Sequence, residues 1–189
     1  LPEIGVEGQT RIASASVLVV GAGGLGCPVA LYLGAAGVGR LAIADGDIVE
    51  LSNLQRQIGH ATAAIGVNKA DSLATSVRAI NPEVDVRPLR DRLAGRDLLD
   101  AIAEADLVVD ASDNFATRHA VNRACVTLGK PLVSGAAIGF SGQLAVFDVR
   151  RGESPCYHCL FPDQAGEPEM RCAEAGVFAP LVGVIGAMQ

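Results

Sequence analysis

Short apolar runs alternate along the chain with longer stretches in which apolar residues recur at helical spacing. The first run, 16–20, reads Ser-Val-Leu-Val-Val; too short for a helix and rich in β-branched residues, it predicts a strand. Over 27–37, Val29, Leu33 and Ala36 fall on one face and Gly37 supplies a stop, which predicts a helix. The same reading gives strands over 40–44, 84–88, 107–110, 131–134 and 143–149, and helices over 67–80, 97–104 and 114–128. A further apolar, helix-like run covers 178–189. Strands apolar on both faces, alternating with helices, imply the α/β class: a Rossmann-like, mostly parallel sheet covered on both faces, with an antiparallel extension expected toward the C-terminus.

Composition narrows the picture. Of 189 residues, 15 are Lys or Arg and 21 Asp or Glu, a formal charge of −6, and half are hydrophobic. A chain of this size buries about 70% of its unfolded surface, enough for one domain spanning 1–189. Neither disorder nor a nucleic-acid-coating role suits this charge balance. No apolar run reaches the ~18 residues of a membrane span, and no basic segment with an apolar stretch opens the chain. Five cysteines, an odd number, read as reduced thiols of a cytoplasmic protein, open to metal or catalytic use. The chain opens at Leu1 and closes on an uncapped apolar run, so truncation at both ends is expected. Over 150–176 the composition shifts toward Pro, Glu, Gly and Cys, which predicts a long functional loop.

Gly21-Ala-Gly23-Gly24-Leu-Gly26 follows a predicted strand and opens a predicted helix. In that context the first glycine permits the tight turn, the second lets backbone approach a phosphate, and the third lets helix and sheet pack closely. Asp45 ends the next strand, where a carboxylate accepts from ribose hydroxyls. This much suits a dinucleotide. Three features favour ATP. Ser52-Asn53-Leu54-Gln55-Arg56-Gln57 is a dense polar cluster just beyond the second strand. Lys69, one of two lysines, opens a helix, an unfavourable end for a cation unless it faces phosphates. Asp113 and Asn114 follow the fourth strand, where Asp113 suits Mg²⁺. Each has a plainer alternative: a solvated loop, a surface lysine and, for Asp113, a helix N-cap.

Together with Ala44-Asp45-Gly-Asp, Asp110-Ala-Ser-Asp-Asn114 and Cys156-Tyr-His-Cys159, in this order and spacing, these motifs resemble the ThiF/MoeB/HesA family, related to the ubiquitin-activating enzymes. The resemblance covers nearly the whole chain. It implies adenylation, with Mg-ATP, of the C-terminal glycine of a ubiquitin-like sulfur-carrier protein ending in Gly-Gly, for thiamine or molybdopterin-type sulfur transfer. It further implies a homodimer and a sulfur donor such as a cysteine desulfurase. By the same resemblance Gly21, Gly23, Gly24 and Gly26 lie by the phosphates, Asp45 on the ribose, and Ser52, Asn53, Leu54, Gln55, Arg56 and Lys69 on the nucleotide. Asp113, with Asn114 beside it, holds Mg²⁺ at the reaction centre.

Cys156 and Cys159 form half of a tetrahedral zinc site, which wants four ligands. The resemblance implies a structural Zn²⁺ whose two further cysteines lie outside this segment. Cys172 resembles the crossover-loop cysteine that links covalently to the carrier in ThiF-like members; Arg171 favours its thiolate, while Glu169 and Glu174 oppose it. Cys27 and Cys125 read as core. The family also carries an arginine ahead of the point where this chain starts, reaching the partner's ATP. Two rival readings stand beside this one. An NAD-dependent oxidoreductase accounts for the glycines and Asp45 but leaves 52–57, Lys69 and the cysteine pair unexplained. A non-enzymatic nucleotide-binding scaffold is the other.

Overall fold

A computed structural model describes residues 2–163 and 176–189. Six strands, β1 (Ser16–Val20), β2 (Arg40–Ala44), β3 (Asp85–Leu89), β4 (Leu107–Asp110), β5 (Leu132–Ile138) and β6 (Ser141–Phe147), form one sheet in the order β3-β2-β1-β4-β5-β6. The first five are parallel and β6 runs antiparallel to β5, so the expected class and the C-terminal antiparallel extension both hold. Seven helices are described: α1 (Gly5–Ser14), α2 (Gly26–Ala36), α3 (Lys69–Ile80), α4 (Gly95–Ala103), α5 (Phe115–Leu128), the short α6 (Tyr157–Leu160) and α7 (Ala179–Met188).

All five β1 residues are buried, and alternation sends them into two cores. Val17 and Val19 pack with Val29 of α2, Leu73 and Val77 of α3 and Val182 of α7. Leu18 and Val20 pack with Ile102 of α4, Val121 of α5 and Tyr157 of α6. From β1 the chain steps to β2 on one side, and after β3 it returns to β4 on the other. The carboxyl ends of β1 and β4 therefore flank a crevice where connections diverge, the usual ligand position in such sheets.

Helix ends differ from the predicted ones for identifiable reasons. α3 starts at Lys69 rather than 67 because Asn68 caps it, its Oδ1 accepting from Ala70 N at 2.9 Å and Asp71 N at 3.3 Å. α5 is capped by Asn114, whose Oδ1 accepts from Thr117 N at 2.8 Å; the N-cap alternative for Asp113 is thereby corrected. α1 fully buries no residue and packs only Ile12 against the core, too little to read as an apolar stripe. The predicted loop contains α6 and a 3₁₀ turn at Val149–Arg151, while Cys172, Arg171, Glu169 and Glu174 lie outside the described residues.

The β1–α2 turn depends on absent side chains. Gly21 has φ +104°, and a Cβ there would meet the Ala111 carbonyl oxygen at 2.6 Å. A Cβ on Gly26 would collide with the Gly21 carbonyl, backbone that has no rotamer to give way. Gly26→Ala is expected to cost about 3 kcal/mol or more, the upper range for overpacking, hence a fall of roughly 6–12 °C in melting temperature by calorimetry.

Candidate functional site

The glycine turn is fastened through one residue, Ala22, whose two flanking peptides are both held. Ala22 N donates to Asp45 Oδ2 at 2.8 Å, and the Ala22 carbonyl lies 2.9 Å from His60 Nε2. A carbonyl only accepts, so Nε2 carries the imidazole proton. Nδ1, 2.9 Å from Ser72 Oγ on α3, therefore accepts from the serine hydroxyl. Burial pushes the His60 pKa down, with Lys69 adding to the effect. No side chain caps the N-terminus of α2 just beyond, and the Gly26 N–H suits an anion, whereas Cys27 N already donates to the Gly23 carbonyl at 2.9 Å and Pro28 has no N–H.

A cleft opens above this turn, at the carboxyl ends of β1, β2 and β4. Among the candidates, Gly21, Gly23, Gly24, Asp45, Arg56, Lys69, Asp113 and Asn114 line it. Ser52, Asn53, Leu54 and Gln55 share the Arg56 loop but are not among the lining residues, and Gly26 lies one step inside α2. Asn53 instead folds that loop: its carbonyl accepts from Arg56 N at 3.1 Å and Gln57 N at 3.0 Å. Arg56 itself donates from Nη1 to the Ser52 carbonyl at 3.3 Å.

Lys69 is 8% exposed and donates to Asp47 Oδ2 at 3.2 Å. Arg92, beyond β3, donates to Asp47 Oδ1 at 2.9 Å. Arg92 above all, with Lys69 behind it, holds the Asp47 carboxyl below the usual range against the opposing effect of burial. Across the cleft, Asp110 is buried and accepts from Ser112 N (3.1 Å), Ser112 Oγ (2.6 Å) and Ser134 Oγ (2.9 Å). Asp113 is exposed and its Oδ1 meets the Asn114 amide at a long 3.5 Å, so its carboxylate has lone pairs to offer a hard cation.

Several site residues escape a reading of the sequence. Asp47, Gln57, Arg92 and Arg118 also line the cleft. Gln57 belongs to the 52–57 motif; it is buried, and its Oε1 has no hydrogen-bond partner among the described residues. Arg118 is legible only as a charge on the inward face of an amphipathic helix. Arg92 comes from a loop far from any motif and His60 lies three residues past the 52–57 cluster, and no local signal marks either.

Cys156 and Cys159 lie 3.7 Å apart through sulfur. Two thiolates each ~2.3 Å from a tetrahedral zinc would be about 3.8 Å apart, so the pair fits two corners of such a site. Burial raises the Cys156 pKa, but donors from Asn122, Cys159 and His158 outweigh it and lower the thiol overall. Among the described residues no group of three or more metal-binding side chains forms, so the pair stands there without the rest of a ligand set. Cys27 and Cys125 are core residues whose thiols burial pushes up to about 12.

Because His60 titrates lower folded than the unperturbed 6.5, the unfolded chain binds more protons as pH falls below that value. Its contribution to stability is full above pH ~6.5 and is lost as pH falls through the folded-state pKa. Melting temperature should therefore drop on acidification from neutral pH, and His60→Asn should flatten this slope. A residual slope is expected from His119, whose pKa burial also lowers.

The ThiF family matches residues 1–189. The chain is 48% identical over 189 residues to the adenylyltransferase and sulfurtransferase MOCS3 of Dictyostelium discoideum, all of this chain and 44% of that protein. It is 50% identical over 190 residues to MOCS3-1 of Zea mays, all of this chain and 40% of that protein. The chain thus spans less than half the length of these relatives. Among solved structures, E. coli MccB with MccA-N7isoASN superposes with a TM-score of 0.82 at 23% identity, covering 95% of this chain and 55% of that one. PaaA superposes at 0.79 with 22% identity, covering 95% and 55%. These two share the fold. With a match along its whole length and relatives near half-identical, the chain belongs to the ThiF family.

Proposed function

We propose that this domain adenylates the C-terminal glycine carboxylate of a ubiquitin-like sulfur-carrier protein with ATP, releasing pyrophosphate. The observation that carries the reading is the convergence of the glycine turn, Arg56, Lys69 and Asp113 on one cleft. The Dictyostelium and maize relatives are named adenylyltransferases and sulfurtransferases, which supports it. A dinucleotide oxidoreductase would use the turn and Asp45 but would leave Arg56 and Lys69 without a task.

The carrier carboxylate, with a reference pKa of ~3.3–3.7, is already ionised and needs no general base. The obstacle is one anion attacking another at the α-phosphorus. A cation 4 Å from a phosphate oxygen offsets ~4 kcal/mol at an effective dielectric of ~20, so Arg56 and Lys69 address the barrier itself. Among the described residues the cleft is lined by four carboxylates (Asp45, Asp47, Asp91, Asp113) and four cations (Arg56, Lys69, Arg92, Arg118). That lining is formally neutral, so a triphosphate gains little attraction without a divalent ion. Asp113 would hold Mg²⁺, which supplies charge neutralisation on the phosphates. Asp45 would take the ribose and Asn114 flank the reaction centre.

The wider reading includes a homodimer, a sulfur donor such as a cysteine desulfurase, and a cytoplasmic setting. It also includes structural zinc on Cys156, Cys159 and two further thiolates, and a covalent role for Cys172. Thiamine and molybdopterin pathways use the same activation chemistry, and pull-down with carriers ending in Gly-Gly distinguishes them. In the full-length protein, Lys69→Ala should abolish carrier-dependent ATP–pyrophosphate exchange; near-normal exchange would refute the assignment. Elemental analysis of the same preparation should find one zinc per chain, and Cys156→Ser should remove it.

A further inference from the structure

His60 is buried, is not among the residues that line the cleft, and has no part in the proposed reaction. Its Nε2–H nevertheless meets the Ala22 carbonyl of the glycine turn at 2.9 Å. A trans peptide points its N–H opposite to its C=O, and no cis peptide occurs among the described residues. The Ala22 carbonyl is turned toward His60, away from the cleft, so the Gly23 N–H of the same peptide is turned toward the cleft that Gly23 lines. The next peptide has the same sense. The Gly23 carbonyl accepts from Cys27 N inside α2 at 2.9 Å, which turns the Gly24 N–H away from the helix. Among the described residues neither of these N–H groups donates to a partner. Two adjacent donors are therefore offered to an anion, and the first is aimed by an imidazole on the far side of its peptide.

The imidazole is itself held from several directions. Ser72 Oγ on α3 donates to Nδ1 at 2.9 Å, which keeps the ring proton on Nε2. One turn further along α3, Ser76 Oγ donates to the Gly59 carbonyl at 2.6 Å and ties the residue before the ring to the same helix. A Cβ on Gly59 would meet Leu73 Cδ1 of α3 at 2.5 Å and Cys27 Sγ of α2 at 3.0 Å, so glycine is what lets this segment sit so close to both helices. His60 N donates to the Gln57 carbonyl at 3.1 Å, which joins the ring to the loop that carries Arg56. Lys69 opens α3, three residues before Ser72. The glycine turn, the Arg56 loop and the Lys69 helix thus take their mutual register from one buried ring.

We propose that His60 and Ser72 are positioning residues for phosphate binding: Ser72 sets the imidazole tautomer, and the Nε2–H holds the Ala22 carbonyl so that the Gly23 N–H is aimed at a phosphate oxygen of a nucleoside triphosphate. The inference rests on the reading of the cleft as a nucleotide site. It explains why a histidine is kept from both solvent and cleft with a serine behind it. Two substitutions separate the donor from the rest of the ring. Glutamine brings an amide nitrogen to about the place of Nε2 and keeps the donor, whereas asparagine reaches only as far as Nδ1 and loses it.

The test uses the full-length protein with Mg²⁺ and two probes. A non-hydrolysable ATP analogue is followed by isothermal titration calorimetry, and adenosine, which has no phosphate, by saturation-transfer NMR. His60→Asn should weaken the analogue by ~10-fold or more, the scale of one hydrogen bond to a charged group, and leave adenosine unchanged. His60→Gln should restore most of the analogue affinity. Analogue binding by His60→Asn at the parent's affinity would overturn the proposal. An equal loss for both probes would mark a merely structural role and overturn it too, as would a loss in His60→Gln as large as in His60→Asn. If the parent protein binds neither probe, the nucleotide reading of the cleft falls and this inference with it. Should His60→Asn fail to fold, Ser72→Ala, which frees the ring to turn over, decides the matter: it should weaken the analogue and spare adenosine.

Discussion

Ala22 is the fixed point of the cleft. Its N–H is held by the Asp45 carboxylate just past β2 and its carbonyl by a neutral imidazole whose far nitrogen is tied to α3. Either partner alone would hold only one of the two peptide planes that meet at the Ala22 Cα. The two together set the plane of the turn, and with it the direction of the N–H groups that open α2. The constraint also reaches outward. Asp45 Oδ1 accepts from Asp47 N at 2.9 Å, so the residue that holds the turn also places the carboxylate that pairs Lys69 and Arg92. Geometry at the glycines and electrostatics at the cations are thus parts of one network.

How much of this can be read from the chain divides along physical lines. β2 and β4 are legible to the residue because two-face burial demands unbroken apolar runs, and Gly37 and Gly129 announce helix ends through left-handed backbone, φ +81° and +61°. The glycine turn is legible because only glycine tolerates those contacts. α1 is invisible because Ile12 is its one apolar residue packed on the core, too little for a stripe. β5 extends past its predicted end through Gly135, Ala136 and Ala137, small residues with no periodicity to read. At the site, residues on the turn and strand ends are marked by motif, whereas Arg92, beyond β3, and His60, just past the 52–57 cluster, reach it through contacts that no local pattern encodes. The cluster 52–57 is legible as polar, but not which member faces the cleft, since that depends on how the Asn53 carbonyl folds the loop.

The lysine at the start of α3 shows how a local oddity resolves in three dimensions. A cation at a helix N-terminus costs ~0.3–1 kcal/mol, and burying it costs more. Asn68 caps the helix, so the orphan N–H groups do not depend on the residue at 69. The Asp47 carboxylate at 3.2 Å is worth about 5 kcal/mol of Coulomb attraction at an effective dielectric of ~20, before desolvation is counted. The attraction outweighs the dipole term, which is why the ammonium stays in the cleft wall rather than turning outward. Yet Asp47 carries one negative charge and serves two cations, Lys69 and Arg92. The trio keeps an excess of one positive charge, so on the proposed reading a phosphate would share the pair with Asp47 instead of displacing it. A site organised in this way has its cations in place before the substrate arrives, and little of the binding energy goes into moving them.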